Sequence, residues 1–465
     1  MADLSATGHR VAAVVPTWNE VASIAAVVRD LRRAGACCVF VVDGGSTDGT
    51  QEVALAAGAS LVEEGRPGYG RACLSGTQAA QADKAHGLIA FLDGDGSCDP
   101  ADLPRLVDAA QDADLVLGRR VVVATGALPW HARLGNRMVA ALLRLRSGKP
   151  VHDLPPFKLA RAWVFAALAL DDEGYGWTVQ LVGRGLAHPA LRVVETPTTF
   201  RPRAGGVSKV SGRLGPSLHA ARGMLERSWT ATRPRGALVL MAKAPRAGHS
   251  KTRLELELGT VLATSFWSAC LRDSGERLRR AADQAGVDVL AMTPSSEDAT
   301  AVRAITGLPC LVQKRPGLGA ALLEVSELRV PLTVAVSADI PALPVERLLQ
   351  AVAVARAGKP VLGPGLDGGY YLVGLPRRFD RVRRVRAFLG NSLGGDGALA
   401  QARAALGEVE LLEPWADVDT AAELEALADQ LCGEPELAPA VAAWLDGPWR
   451  ERAGLTPGAR AAPQQ

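Results

Sequence analysis

Short apolar runs alternate with amphipathic stretches through the first half of the chain. "RVAAVVP" (10–16) has the continuous hydrophobicity of a strand buried on both faces. "VASIAAVVRDLRRAG" (21–35) follows with a 3.6-residue period, predicting a helix that stops at Gly35. "CCVFVVDGG" (37–45) reads as the second strand and "DGTQEVALAAGA" (48–59) as the next helix. There Asp48, three residues before Gln51, fits a capping box. "LVEEG" and "GLIAFLDGDG" are further strands, then come a helix in "PADLPRLVDAAQ" and a strand in "ADLVLGRR". Strand–helix alternation predicts a mostly parallel, doubly wound α/β sheet, whose ligands lie beyond the carboxyl ends of its strands. Pro16, Asp43, Asp93 and Asp95 all fall at such ends.

The pattern restarts after the Arg- and Gly-rich stretch ending in "TATRPRG" (230–236). "ALVLMAKAP", "VDVLAMTP", "PCLVQKRP", "LTVAVSADIPALP" and "PVLGPG" read as strands with helical segments between them. The expected organisation is one α/β domain over 1–232, a second of related design over 236–446, and a tail over 447–465. "RAGLTPGARAAPQQ" in that tail has the Pro-, Gly- and Ala-rich composition of a disordered segment. A length of 465 residues independently favours more than one core.

With 48% apolar and 22% charged residues, the chain has the balance of a globular protein. A net charge of +3 gives no general affinity for nucleic acid. The positive charge is mostly arginine, whose planar fork suits phosphate, so local basic patches carry more meaning than the total. Seven cysteines without a Cys-x-x-Cys spacing suggest reduced thiols and a cytoplasmic location. No run reaches the roughly 18 apolar residues of a membrane span. Any membrane contact is therefore expected to be peripheral, at the inner face. "WHARLGNRMVAALLRLRSG" (130–148) is basic and amphipathic: it reads either as a helix covering the core or as one touching an anionic bilayer.

"FLDGDGSCDP" (91–100) holds the sharpest chemical signal. Asp93 and Asp95 are separated by one glycine at a strand mouth, where side chains two apart face the same way. Two carboxylates so close repel unless a cation joins them, and a hard divalent ion such as Mg²⁺ or Mn²⁺ is the natural one. Such an ion neutralises charge growing on a diphosphate leaving group, as an activated sugar donor requires. Asp43 is suited to accept hydrogen bonds from a base or ribose, and "GRPGYGRACLSG" (65–76) offers glycines for close backbone approach. The first strand runs into "PTWNE" and not a Gly-x-Gly-x-x-Gly turn, which disfavours a dinucleotide oxidoreductase.

"VVPTWNE", "VVDGGSTDGT", "FLDGDGSCDP" and "LVLGRR", in this order, resemble glycosyltransferase family 2 with its GT-A fold. "DLPPFKLARAWVF", "YGWTVQLVGRGL" and "VVETPTTFRPRAGGVSKVSG" resemble its dolichyl- and polyprenyl-phosphate branch, so the likeness spans roughly residues 10 to 225. The resemblance implies donor binding by Pro16, Thr17, Glu20, Asp43, Arg71, Asp93 and Arg119, with Asp93 and Asp95 as catalytic metal ligands. It also implies a UDP- or GDP-linked sugar donor and a polyprenyl-phosphate or other small acceptor. Arg201, Arg203, Ser208 and Lys209 in "FRPRAGGVSK" would meet an acceptor phosphate, and the residues themselves describe a basic loop suited to an anion. One position departs: Gln180 stands where relatives usually carry Glu. An acceptor phosphate is already ionised and hardly needs a base, so the change does not rule out activity, while acceptor identity stays open.

In the second half, "MAKAPRAGHSKTRL" (241–254) contains Ser-Lys-Thr but lacks the spacing of a phosphate-binding P-loop. With "GPGLDGGYYLVGL" and "WADVDTAAEL" it resembles glycosyltransferase-like proteins related to sugar-phosphate and phospholactate nucleotidylyltransferases, over about residues 236 to 430. The resemblance implies a second GT-A-like domain, with Lys243, Lys251 and Arg253 on phosphates and Asp339 and Asp367 near a metal. Ala320, Ala321 and Ala338 replace residues common in relatives. A nucleotidylyltransferase making the donor and a nucleotide-binding regulatory domain without chemistry both remain open.

Overall fold

The structure, a computed structural model, describes residues 10–66, 68–82, 86–124, 127–204, 227–390, 395 and 397–450. The chain divides into two compact units, Met1–Arg233 and Pro234–Gln465.

The first unit is built on strands β1 (Arg10–Thr17), β2 (Cys38–Asp43), β3 (Ser60–Glu63), β4 (His86–Phe91), β5 (Leu115–Val122), β6 (Lys158–Arg161) and β7 (Val193–Phe200). They form one seven-stranded sheet in the order β3-β2-β1-β4-β6-β5-β7. β6 runs antiparallel to both of its neighbours, whereas the other pairs are parallel. The sheet is covered on both faces. Val11, Ala13 and Val15 enter one apolar cluster and Ala12 and Val14 another, which is why β1 reads as an unbroken hydrophobic run.

Helix α1 (Ile24–Arg33) buries Ile24, Val27, Val28 and Leu31, the spacing of a single helical face. Gly35 follows with φ 103°, as its helix-stop reading requires. The box expected around Asp48 does not form. Helix α2 (Thr50–Ala56) starts after Gly49, and Asp48 accepts from the Val21 and Thr50 amides and the Thr50 hydroxyl. Gln51 turns away and donates to Asp43 at 2.7 Å. In α3 (Tyr69–Ala82), Gly76 lets the helix press onto the sheet: a Cβ there would lie 2.9 Å from Val42 Cγ2 and closer still to Val14. The remaining helices of this unit are α4 (Leu103–Ala109), α5 (Trp130–Ser147), α6 (Ala162–Leu168) and α7 (Gly176–Ala187).

The second unit repeats the design. β8 (Ala237–Met241), β9 (Asp288–Thr293), β10 (Cys310–Val312), β11 (Leu332–Ser337), β12 (Val361–Pro364), β13 (Tyr370–Pro376) and β14 (Glu410–Leu411) form a sheet ordered β10-β9-β8-β11-β13-β12-β14. Position for position this is the order of the first sheet, and the strand in fifth place, β13, is again antiparallel to its neighbours, as β6 is in the first. The flanking helices include α8 (Thr252–Leu258), α9 (Thr260–Ala285), α10 (Ser296–Thr306) and α11 (Leu318–Ser326). Ala320 and Ala321 are buried in α11, and Ala338 lies buried just past β11. Both units are therefore mostly parallel, doubly wound α/β structures. No helix among the described residues is long and apolar enough to cross a membrane.

Candidate active site

The carboxyl ends of β1, β2 and β4 open into three loops that are tied together. Asn19, in the left-handed region at φ 54°, donates its amide to Ser46 Oγ at 2.8 Å, and its Oδ1 accepts from the Thr47 amide at 2.9 Å. Thr17 donates to the Val42 carbonyl at 3.3 Å, and the Glu20 amide donates to Thr50 Oγ1 at 2.9 Å. Asp43 is fully buried. Its Oδ2 accepts from the Gly45 amide (3.0 Å), the Ser46 amide (2.8 Å) and Gln51 Nε2, while Oδ1 accepts from Ser46 Oγ. In this structure Asp43 thus organises its own loop, and Pro16 and Thr17 end the strand beside it.

β4 ends at Phe91, so Asp93 and Asp95 stand in the turn beyond it and not on the strand. The turn, with Gly96 at φ 74°, brings the two carboxylates together in place of the strand alternation expected above. Ser23 Oγ braces it by donating to the Gly94 carbonyl at 2.7 Å. Asp95 Oδ1 accepts from the Ser97 amide at 2.9 Å, and its Oδ2 lies 3.0 Å from Arg203 Nη1. Asp93 differs: its Oδ1 is buried and has no hydrogen-bond partner among the described residues. Burial, then the charge of Asp95, pushes its pKa up to about 6, against the opposing pull of Lys158, Arg203 and Arg120. An ionisable oxygen left bare beside a second carboxylate is a donor pair that suits a hard cation.

Several basic groups surround this pair. Arg203 spans Asp95 and Glu20, with Nη2 2.5 Å from Glu20 Oε1. Its backbone neighbours are fixed too, since the Ala204 amide donates to the Asp95 carbonyl and the Arg201 amide to the Ser97 carbonyl. Arg201 pairs with Asp99. Arg203, expected on an acceptor phosphate, is therefore engaged with the carboxylate turn, while Ser208 and Lys209 lie outside the described residues. Arg71 pairs with Glu173, and its Nε and Nη1 are buried without acceptors. Arg119 is exposed on β5, and alternation gives the inward role to its neighbour. Arg120 forms a bidentate pair with Asp153 at 2.8 and 2.5 Å and acts electrostatically on Asp93.

Lys158 and Arg120 are the residues that motif reading passed over. Lys158 is fully buried on β6, beside Phe91 of β4, with Nζ 3.2 Å from Thr178 Oγ1 and 5.2 Å from the Trp177 ring centre. Burial pulls its pKa down, while Cys73 and Asp93 oppose that pull. A lysine inside "DLPPFKLARAWVF" was the available signal. Gln180, buried in α7, accepts from the Asp171 and Asp172 amides at 3.0 and 3.1 Å and is occupied in holding that turn.

In the second unit Asp339 follows β11 by two residues, as Asp93 follows β4. Its companions are Asp417 and Asp419: one oxygen from each of the three lies within 4.8 Å of the others. Asp367, expected there, instead closes its own turn by accepting from the Gly369 amide. Lys251 Nζ sits 2.6 Å from Asp419 and 3.2 Å from Asp339. Burial alone would lower the Lys251 pKa, but the two carboxylates outweigh it and the net shift is upward. Burial, reinforced by Asp339 and Asp419, raises Asp417 to about 6. Lys243 and Arg253 are exposed, and Arg253 reaches only to 4.0 Å from Asp419. Asp417 and Asp419 belong to "WADVDTAAEL", and only folding brings them to Asp339.

Known families and relatives match parts of both units. The model of glycosyl transferase family 2 matches residues 12–164, and that of an uncharacterized protein family conserved in bacteria (DUF2064) matches residues 277–390. An uncharacterized glycosyltransferase of Mycobacterium tuberculosis is 41% identical over 214 residues, covering 46% of this chain and 95% of its own. An undecaprenyl-phosphate mannosyltransferase of Micrococcus luteus is 33% identical over 218 residues, covering 44% and 89%. Among solved structures, a nucleotide-diphospho-sugar transferase described as putative, from Desulfovibrio desulfuricans G20, aligns with a TM-score of 0.41 at 20% identity, covering 48% of this chain and 98% of its own.

Proposed function

Because the chain belongs to glycosyl transferase family 2, we propose that its first unit moves a sugar from a UDP- or GDP-linked donor to the phosphate of a polyprenyl acceptor at a membrane surface. The observation that carries the reading is the bare, buried Asp93 oxygen beside Asp95 at the carboxyl end of the sheet. The undecaprenyl-phosphate mannosyltransferase from Micrococcus supports the acceptor class.

Asp93 and Asp95 would hold a Mg²⁺ or Mn²⁺ ion, which supplies positive charge against a leaving diphosphate. The chain's own groups do the rest. Thr17 and Asp43 at the ends of β1 and β2, with Glu20 in the loop tied to them, would meet the nucleotide end of the donor. Arg71 brings two unpartnered N–H groups, the equipment for an anionic ligand. Lys158 and Arg120 provide fixed positive potential behind Asp93. Arg203 ties the segment of Arg201 to the carboxylates, and the acceptor reading rests on these two arginines with Ser208 and Lys209, which lie outside the described residues. Catalysis in this arrangement is mainly electrostatic, because a phosphate acceptor needs no base and Gln180 is already occupied.

The test is a panel of nucleotide sugars offered to the full chain with polyprenyl phosphate and Mn²⁺ or Mg²⁺. Asp93→Ala or Asp95→Ala should lower turnover by about 10²–10³-fold, the scale of losing a main electrostatic stabiliser. Turnover unaffected by chelator would overturn the metal assignment, and transfer confined to non-phosphate acceptors would overturn the acceptor.

A second reading concerns the other unit. The shared strand order and the Asp339–Asp417–Asp419 cluster favour a nucleotide-phosphate site there, either a nucleotidylyltransferase or a binding module. Lys251, lodged across two of those carboxylates, favours binding over turnover.

A further inference from the structure

Helix α5 covers the core with only one of its faces. Val139, Ala140 and Leu143 are its buried residues. Trp130 (76% exposed), Leu134 (52%), Met138 (54%) and Leu145 (83%) stand in solvent. At about 100° per residue, the exposed four fall within an arc of roughly 80°, centred opposite the buried three. A helix that merely roofs a core turns polar residues to water, so a second apolar stripe on its far side requires an explanation.

Charge indicates what covers the stripe. Within Trp130–Ser147 there are four arginines and no acidic residue. The exposed Arg133, Arg137 and Arg144 fall along one border of the stripe, and Arg146 lies over the exposed Trp229 ring, 3.8 Å from its centre. Trp130 at the helix start has the amphipathic ring favoured where hydrocarbon meets head groups. From Trp130 to Leu145 the stripe runs about 22 Å, long enough to lie along a bilayer surface.

We propose that α5 seats the protein on an anionic bilayer, with Trp130, Leu134, Met138 and Leu145 entering the acyl boundary and the arginines meeting lipid phosphates. On this proposal the two readings of "WHARLGNRMVAALLRLRSG" apply to different faces: the one that holds Val139, Ala140 and Leu143 covers the core, and the opposite, exposed one meets lipid. The inference stands apart from the identity of the acceptor, because it concerns lipid in general.

The test is co-sedimentation of the full chain with vesicles of phosphatidylcholine alone or mixed with phosphatidylglycerol, all free of polyprenyl phosphate. Binding is expected on the anionic vesicles only, weakening as salt rises. Leu134→Glu with Met138→Glu should abolish it while leaving the thermal melt unchanged, since both side chains already face water. Arg133→Gln with Arg137→Gln should weaken it by about fivefold per arginine. Three results would overturn the proposal: no binding to anionic vesicles at low salt, undiminished binding by the Glu variant, or lipid-free self-association that the Glu variant removes. The last would make the stripe an interface between copies. Failure of the acceptor reading would leave all of these measurements unaltered.

Discussion

Asp93→Asn separates the cost of the carboxylate turn from its use. Asp93 is raised from 3.8 to about 6 in the folded protein. A carboxyl whose folded pKa exceeds its unfolded value binds the proton more tightly when folded, so stability is lost as pH rises through that interval. Below about pH 4 both states are protonated and the group costs nothing; above about pH 6 the full penalty applies. A shift of roughly two units corresponds to about 3 kcal/mol. Asparagine keeps the shape and removes the charge but leaves an amide in the unpartnered place, so the net gain should be about 1–3 kcal/mol. For a unit of this size that is a rise of roughly 3–10 °C in melting temperature at pH 7.5 in chelator, with no rise at pH 4. Mn²⁺ reverses the ranking. At a hundredfold excess over its Kd it should stabilise the wild type by about 2.7 kcal/mol and leave the variant nearly unmoved. Thermal melts of the full chain between pH 4 and 8, with and without Mn²⁺, read all of this. Equal stability of variant and wild type at pH 7.5, or an equal response of both to Mn²⁺, would refute the reasoning.

Arg203→Ala should impair use of the donor as well as the acceptor, because it leaves Asp95 and Glu20 without their shared partner. A loss of tenfold or more in kcat/KM for the nucleotide sugar is expected from charge-assisted bonds worth about 1.5–3 kcal/mol each, and an effect confined to acceptor KM would contradict it. Lys251→Met should destabilise the second unit by about 3 kcal/mol in a melt of the full chain, since it strands Asp339 and Asp419. With Asp93→Ala silencing the first unit, pyrophosphate release from nucleoside triphosphate and sugar phosphate should stay near background. Robust release would make the second unit an enzyme in its own right.

Strand and helix positions were legible along most of the chain because they follow from local periodicity. Buried parallel strands such as Arg10–Thr17 and one-faced helices such as Ile24–Arg33 leave repeating signatures within ten residues. The family resemblance was legible from ordered motifs, and the position of Asp93 and Asp95 just past an apolar strand from the end of its hydrophobic run, although a turn and not strand alternation brings the two carboxylates together. The antiparallel strand Lys158–Arg161 was not, being four residues long inside a stretch without alternation.

Everything that depends on distant partners waited for tertiary structure. Sequence alone placed Asp93 and Asp95 side by side, but only packing left one oxygen bare and set Arg203, 108 positions beyond Asp95, against its neighbour. Sequence named Arg119 and Asp367; the fold chose Arg120 for its inward alternation, and Asp417 and Asp419 for their approach to Asp339. The physical reason is common to all of these. A period reports which side of its own element a residue occupies, whereas a charge, a bare acceptor or a second apolar face acquires meaning only from what the rest of the chain places against it.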